Sequence, residues 1–191
     1  MTSLRDRLPP LALDQLDAAQ RAAADELIAG PRKGVKGPFI PLLRSPELLS
    51  RVQKLGEYLR FDSALPPRLS EFATLIVARA WTQQFEWKVH VALALKAGTS
   101  AASIAALADG RRPTDMSDDE ACVHDFATEL LQRHGVSEPA YAAALARFGE
   151  RGLMDLTALI GYFAMVSMVL NVAHTPAEAG EGAAPLAAFP P

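Results

Sequence analysis

The stretch from Ser70 to Gly98, SEFATLIVARAWTQQFEWKVHVALALKAG, constrains this chain more than any other. Apolar residues recur through it at helical spacing, so it reads as core. It also carries Glu71, Arg79, Gln83, Gln84, Glu86 and His90. Polar groups inside an apolar helix are costly unless they are hydrogen-bonded or paired. A fold that buries this stretch must bring those groups to partners, and their convergence would make a site.

The segments around it also favour helix. Alanine and leucine dominate and β-branched runs are scarce, which argues against strands. Met1 to Pro10 reads as a loosely held arm. Leu13 to Ala29 repeats apolar residues at spacings of three and four, with Asp14 and Asp17 in the first turn. Gly30 and Pro31 end that helix. GPRKGVKGPFIP follows as a loop, with Phe39 and Ile40 expected in the core. Its basic residues Arg32, Lys33 and Lys36 read as part of that loop, with anion binding as the alternative.

Ser45 before Pro46 is a helix-start signal. The face of that helix comprises Leu48, Leu49, Val52, Leu55 and Leu59. In the central stretch the spacing predicts two helices with a break near Trp81 to Gln84. Thr82 is the expected cap and Gly98 the stop. A short helix starts after Thr99 or Ser100. Ser117 to Glu120 reads as a capping box opening a helix to His134. Further helices span 138 to 148 and 153 to 174. The tail is rich in alanine, proline and glycine, with Phe189 as its one anchor.

The expected architecture is all-α, a single-domain bundle of about eight helices. Residues 1–34 form an arm and first helix, 35–174 the helical domain, and 175–191 a flexible tail.

Composition excludes several classes. Half the residues are hydrophobic and the net charge is −3, with both signs dispersed. No basic face marks a nucleic-acid or membrane-surface protein. One cysteine, Cys122, permits no disulfide within the chain and suits a reducing cytoplasm. Leu156 to Ala173 runs 18 residues without a charge. Gly161, Ser167 and Asn171 interrupt it, so it reads as a buried or subunit-interface helix and not a membrane span. No metal-ligand set is visible, since His124 and His134 share no useful helical face and His174 sits at a helix end. No cofactor is expected.

Gln83, Glu86 and His90 are spaced by three, four and seven, so they share a helix face. Glu86 beside His90 would raise the imidazole pKa and fix its orientation. A hairpin between the two helices would add Glu71. The alternative is an ordinary i,i+4 pair on a solvated face. The apolar flanks Phe85, Trp87, Val89, Val91, Leu93 and Leu95 argue against a surface helix.

These residues resemble the carboxymuconolactone decarboxylase family, which includes the alkyl hydroperoxidase D-like proteins. The resemblance rests on Glu71, the F-E-W-x-x-H of Phe85 to His90, Ala94 and Gly98. GPF at Gly37 to Phe39, LLRSPEL at Leu42 to Leu48 and GLMDLTALIGYF at Gly152 to Phe163 extend it. The peroxidase branch carries a CxxC pair at positions that are Gln83 and Glu86 here. With no thiol at either, thiol–disulfide chemistry is not expected at this site.

The resemblance implies the alkyl hydroperoxidase D-like fold, a homo-oligomer (trimer or hexamer) and decarboxylase-branch chemistry on a small lactone or carboxylated intermediate of aromatic-compound catabolism. On that basis His90 would donate the proton, Glu86 would orient or charge it, and Glu71 would complete the relay. Gln83 could donate to a substrate oxygen. Trp87 could wall the pocket, and Arg44 and Arg79 could hold a substrate carboxylate. A non-catalytic or ligand-binding oligomer is the alternative, and a divergent peroxidase the weaker third reading.

Overall fold

Helix ends in the computed structural model, which describes residues 5–177 and 183–187, fall where side chains or left-handed residues can close them. Leu13–Gln15 forms a 3-10 turn. Helix α1, Ala18–Ala29, starts only at the Asp17 cap, where Asp17 and Gln20 form a reciprocal capping box. The single helix expected from Leu13 is therefore divided, because the Asp17 side chain takes the Gln20 amide and ends the preceding turn.

Helix α2, Phe39–Leu42, is one turn inside the expected loop. Phe39 is buried there and Ile40 only half-buried. Helix α3, Pro46–Phe61, starts after Ser45, whose side chain makes no cap bond; Pro46 supplies the start. Its buried residues include Leu49, Val52 and Leu59, whereas Leu48 and Leu55 are exposed. The buried stripe is thus narrower than the apolar one.

Helix α4, Pro67–Ala80, is the central shaft. It packs against α3, against α5 (Gln84–Lys96) and α6 (Ala101–Ala108), against α7 (Asp118–Arg133), and against α8 (Glu138–Ala173). Between Leu69 and Arg79 every residue except Glu71 is buried. Its hydroxyls are satisfied internally: Thr74 Oγ1 donates to the Ser70 carbonyl at 2.8 Å. Arg68 donates twice to the buried Glu120 carboxylate, at 2.9 and 2.8 Å, tying α4 to α7.

Glu120 also closes the capping box at Ser117. His134 and His174 cap α7 and α8 in left-handed conformation, a conformation in which histidine is enriched among non-glycine residues. Helix α8 is two helical runs joined across a kink at Gly149, whose φ of 66° and ψ of 177° are non-helical, so the expected break falls at the first residue of Gly149 to Gly152. Its length and apolar composition would suffice to cross a membrane, and half of its most apolar window is buried in the bundle.

The described part of the N-terminal arm, residues 5–10, is tied to the bundle. Arg7 N donates to the Ala173 carbonyl at 2.8 Å, and Arg44 donates to the Leu8 and Pro9 carbonyls. In the tail, Leu186 is buried, and the Gln84 side chain both donates to and accepts from its backbone at 2.9 Å. Phe189 lies outside the described residues.

Candidate functional site

The break between α4 and α5 builds the site. Thr82 takes a φ of 46°, and the chain reverses so that the two helices form a hairpin. The cap of α5 is Gln83 and not Thr82. Its Oε1 accepts from the amides of Phe85 at 2.6 Å and Glu86 at 3.0 Å. A hydroxyl at position 82 cannot do this from a left-handed backbone two residues before the helix. Gln83 Nε2 donates to Asn171 Oδ1 at 3.3 Å, and Asn171 donates to the Trp81 carbonyl at 3.1 Å, locking the turn to α8.

Across this hairpin Glu71 of α4 meets His90 of α5. Nδ1 of His90 lies 2.5 Å from Glu71 Oε2, and Nε2 lies 3.2 Å from Glu86 Oε2. His90 and Glu86 are buried and Glu71 is half-buried. The Phe163 ring packs edge-on against the imidazole at 4.9 Å. Neutral histidine has one N–H and would turn a lone pair toward one carboxylate; imidazolium donates to both. Burial pulls the His90 pKa down, but the hydrogen bonds to Glu71 and Glu86 outweigh it, and the net shift is upward from 6.5.

Glu86 and His90 form one wall of a cavity of about 300 Å³. Phe39, Phe61, Phe85 and Phe163 give it apolar faces, and Arg32, Arg60 and Tyr162 form polar ones. Lys36 sits at its exposed rim. Two glycines make this packing possible. A Cβ on Gly37 (φ 54°) would stand 2.3 Å from the Phe85 ring. A Cβ on Gly56 would stand 2.1 Å from the Tyr162 hydroxyl and 2.6 Å from Arg32 Nη2. Arg32 Nη2 donates to that hydroxyl at 3.5 Å, and its guanidinium lies 4.6 Å over the Phe39 ring. Burial raises the Tyr162 pKa.

The expected acid–base residues therefore come together, and the expected substrate-binding residues do not. Gln83 is consumed as a helix cap. Trp87 is in the hydrophobic core. Arg44 is occupied by the Leu8, Pro9 and Ile40 carbonyls on another face. Arg79 donates to the Ala187 carbonyl at 2.9 Å and borders a separate cavity with His124. The residues that do line the cavity include Arg32, from the basic loop, Arg60, which carried no motif, and Tyr162, which lay in the GLMDLTALIGYF stretch without being assigned a role. Cys122 is half-buried on α7, and burial raises its thiol pKa.

The family model of the carboxymuconolactone decarboxylase family matches residues 46–121, from α3 to the start of α7. No curated protein matches the chain. Among solved structures, it is similar to the alkylhydroperoxidase AhpD core of an uncharacterized peroxidase-related protein from Ralstonia eutropha JMP134. The TM-score is 0.74 at 17% identity, over 90% of this chain and 92% of that one. At that identity the likeness is one of fold.

Proposed function

Through residues 46–121 the chain belongs to the carboxymuconolactone decarboxylase family, with the AhpD-like fold, and from that premise we propose that it performs acid–base lyase chemistry. The substrate is a small lactone or carboxylated intermediate of aromatic-compound breakdown. The observation carrying this is the Glu71–His90–Glu86 chain, which ends on a ligand-sized cavity. Both imidazole nitrogens are taken by carboxylates, so Glu86 is the group that meets the substrate and His90 recharges it.

In a decarboxylation the bond to the departing carboxylate breaks. Its electron pair passes into the conjugated carbonyl system and carbon dioxide leaves. The Glu86 carboxylate takes the Nε2 proton of the His90 imidazolium and delivers it to carbon, which leaves Glu86 ionised and His90 neutral. Glu71, the half-buried end of the chain, resupplies His90 from solvent. Positioned proton transfer of this kind contributes about 10²–10⁴-fold. A dithiol cycle needs two thiols where this chain has Gln83 and Glu86, which sets it apart from a peroxidase of that type.

His90→Gln tests the proposal. With carboxylated lactones as substrates, carbon dioxide release should fall by about 10²–10⁴-fold while the fold persists by circular dichroism. Unchanged turnover would sink it. A second reading, a ligand-binding helical oligomer, draws on the same double pairing of His90, which a purely structural cluster would also show. Ligand binding without turnover by the wild type would favour it.

A further inference from the structure

Two arginines line the same cavity as the Glu86–His90 pair. Arg32 enters from the loop after α1, and Arg60 from the last turn of α3. Each has a buried Nε with no hydrogen-bond partner, and neither forms an ion pair with a described carboxylate. Burial disfavours the Arg32 charge and the neighbouring Arg60 disfavours it further, against a counter-pull from Tyr162, Glu86 and Glu57. Converging two half-desolvated cations is unfavourable unless an anion joins them.

The charges lining the site agree. With His90 protonated, Glu71, Glu86 and the nearby Glu57 stand against His90, Arg32, Arg60 and Lys36 at the rim, and one positive charge remains. A single carboxylate closes that balance. Planar guanidinium groups offer it paired donors, and the Tyr162 hydroxyl adds a third.

Building on the acid–base reading above, we infer that Arg32, Arg60 and Tyr162 form an anchoring subsite for a carboxylate that stays on the ligand throughout, carried by a flat ring lying between the phenylalanine walls. Arginine contacts stabilise a carboxylate relative to neutral carbon dioxide, so a carboxylate clamped there would be slow to leave. The anchored group is therefore not the one lost, and the reacting carbon lies at the opposite end, beside Glu86. The cavity is at the small end of ligand sites, so it takes a single-ring acid and not a long acyl chain.

Isothermal titration of the full chain with benzoate and its neutral isostere benzamide tests this. Benzoate should bind at least about tenfold more tightly. Arg32→Gln and Arg60→Gln should each weaken benzoate by about 10–100-fold and leave benzamide unchanged. Arg60→Gln should melt no lower than the wild type in the absence of ligand, because it relieves repulsion. If Arg32→Gln fails to fold, Arg60→Gln carries the test alone.

Equal affinity for the two probes, no benzoate binding by the wild type, or unchanged benzoate affinity in Arg60→Gln would overturn the subsite. His90→Gln separates it from the catalytic reading, since that variant should lose turnover yet keep benzoate affinity within a few-fold. Retained turnover in His90→Gln, with benzoate affinity lost in Arg60→Gln, would leave the subsite standing and remove the proton-transfer role.

Discussion

Glu71 and His90, nineteen residues apart, meet across the α4–α5 hairpin at 2.5 Å. The contact joins the half-buried end of a three-residue chain to its buried centre. Replacing Glu71 by Gln keeps the shape and removes one of the two charges that favour imidazolium. The His90 pKa should fall, since burial is then opposed mainly by Glu86. Turnover should drop by about 10²-fold or more. Imidazole chemical shifts followed against pH would report the first effect, and an unmoved His90 titration would show that Glu71 does not charge it.

The same shift makes stability depend on pH with a definite sign. The folded His90 pKa is raised above the ordinary 6.5. Its contribution is complete below the unfolded value and is lost as pH rises through the folded one. Denaturant midpoints should therefore decline across that window in the wild type. In His90→Gln this part of the decline should vanish, and a His90→Gln curve parallel to the wild type would place the pH dependence elsewhere.

Gly56 is where α3 makes room for the cavity's polar wall. Gly56→Ala gains helix propensity of about 1 kcal/mol. Against that, its new methyl would collide with the Tyr162 hydroxyl and Arg32 Nη2. The Tyr162 ring is buried and cannot swing aside as a flexible side chain would. Overpacking costs about 1–3 kcal/mol, so the variant should melt at or below the wild type. It should also bind carboxylate ligands more weakly. A higher melting temperature with intact binding would mean that Tyr162 relaxes freely.

Helix α8 turns a second apolar stripe outward. Met154, Ala158, Gly161, Met165, Met168 and Val172 follow alternating steps of four and three, and all but the half-buried Met165 are exposed. That spacing is the seam of packed helices. It is the face expected to lie between subunits of a trimer or hexamer. A Cβ at Gly161 would meet no atom of its own chain within 4 Å. Gly161→Arg should therefore fold normally yet shift light-scattering mass toward the monomer. A wild-type monomer at micromolar concentration would remove this use of the seam.

The helical pattern and the Glu86–His90 pair were legible because both depend on short-range spacing. Ser117 with Glu120, and Glu86 with His90, are three and four residues apart, so helix geometry alone aligns them. Glu71 was legible as a polar group in an apolar helix, but its meeting with His90 was only an expectation, because the hairpin that joins them is a tertiary event. The break near Thr82 was visible as polar residues interrupting an apolar run. Which residue caps the next helix was decided by the left-handed turn, which hands the role to Gln83.

Sequence alone thus determined that this chain is a helical bundle, and it pointed to Glu71, Glu86 and His90 as the candidate chemistry-bearing residues. Only the tertiary structure decided what shares their cavity. Arg44 and Arg79 looked equally suited to a carboxylate, since a charge carries no address in the sequence. Packing gives Arg44 to backbone carbonyls of the arm and of α2, and Arg79 to the tail. It brings Arg32, Arg60 and Tyr162 together from segments up to 130 residues apart. Contacts at that separation follow from how helix faces pack and from a glycine that lets two side chains meet, and no local spacing encodes either.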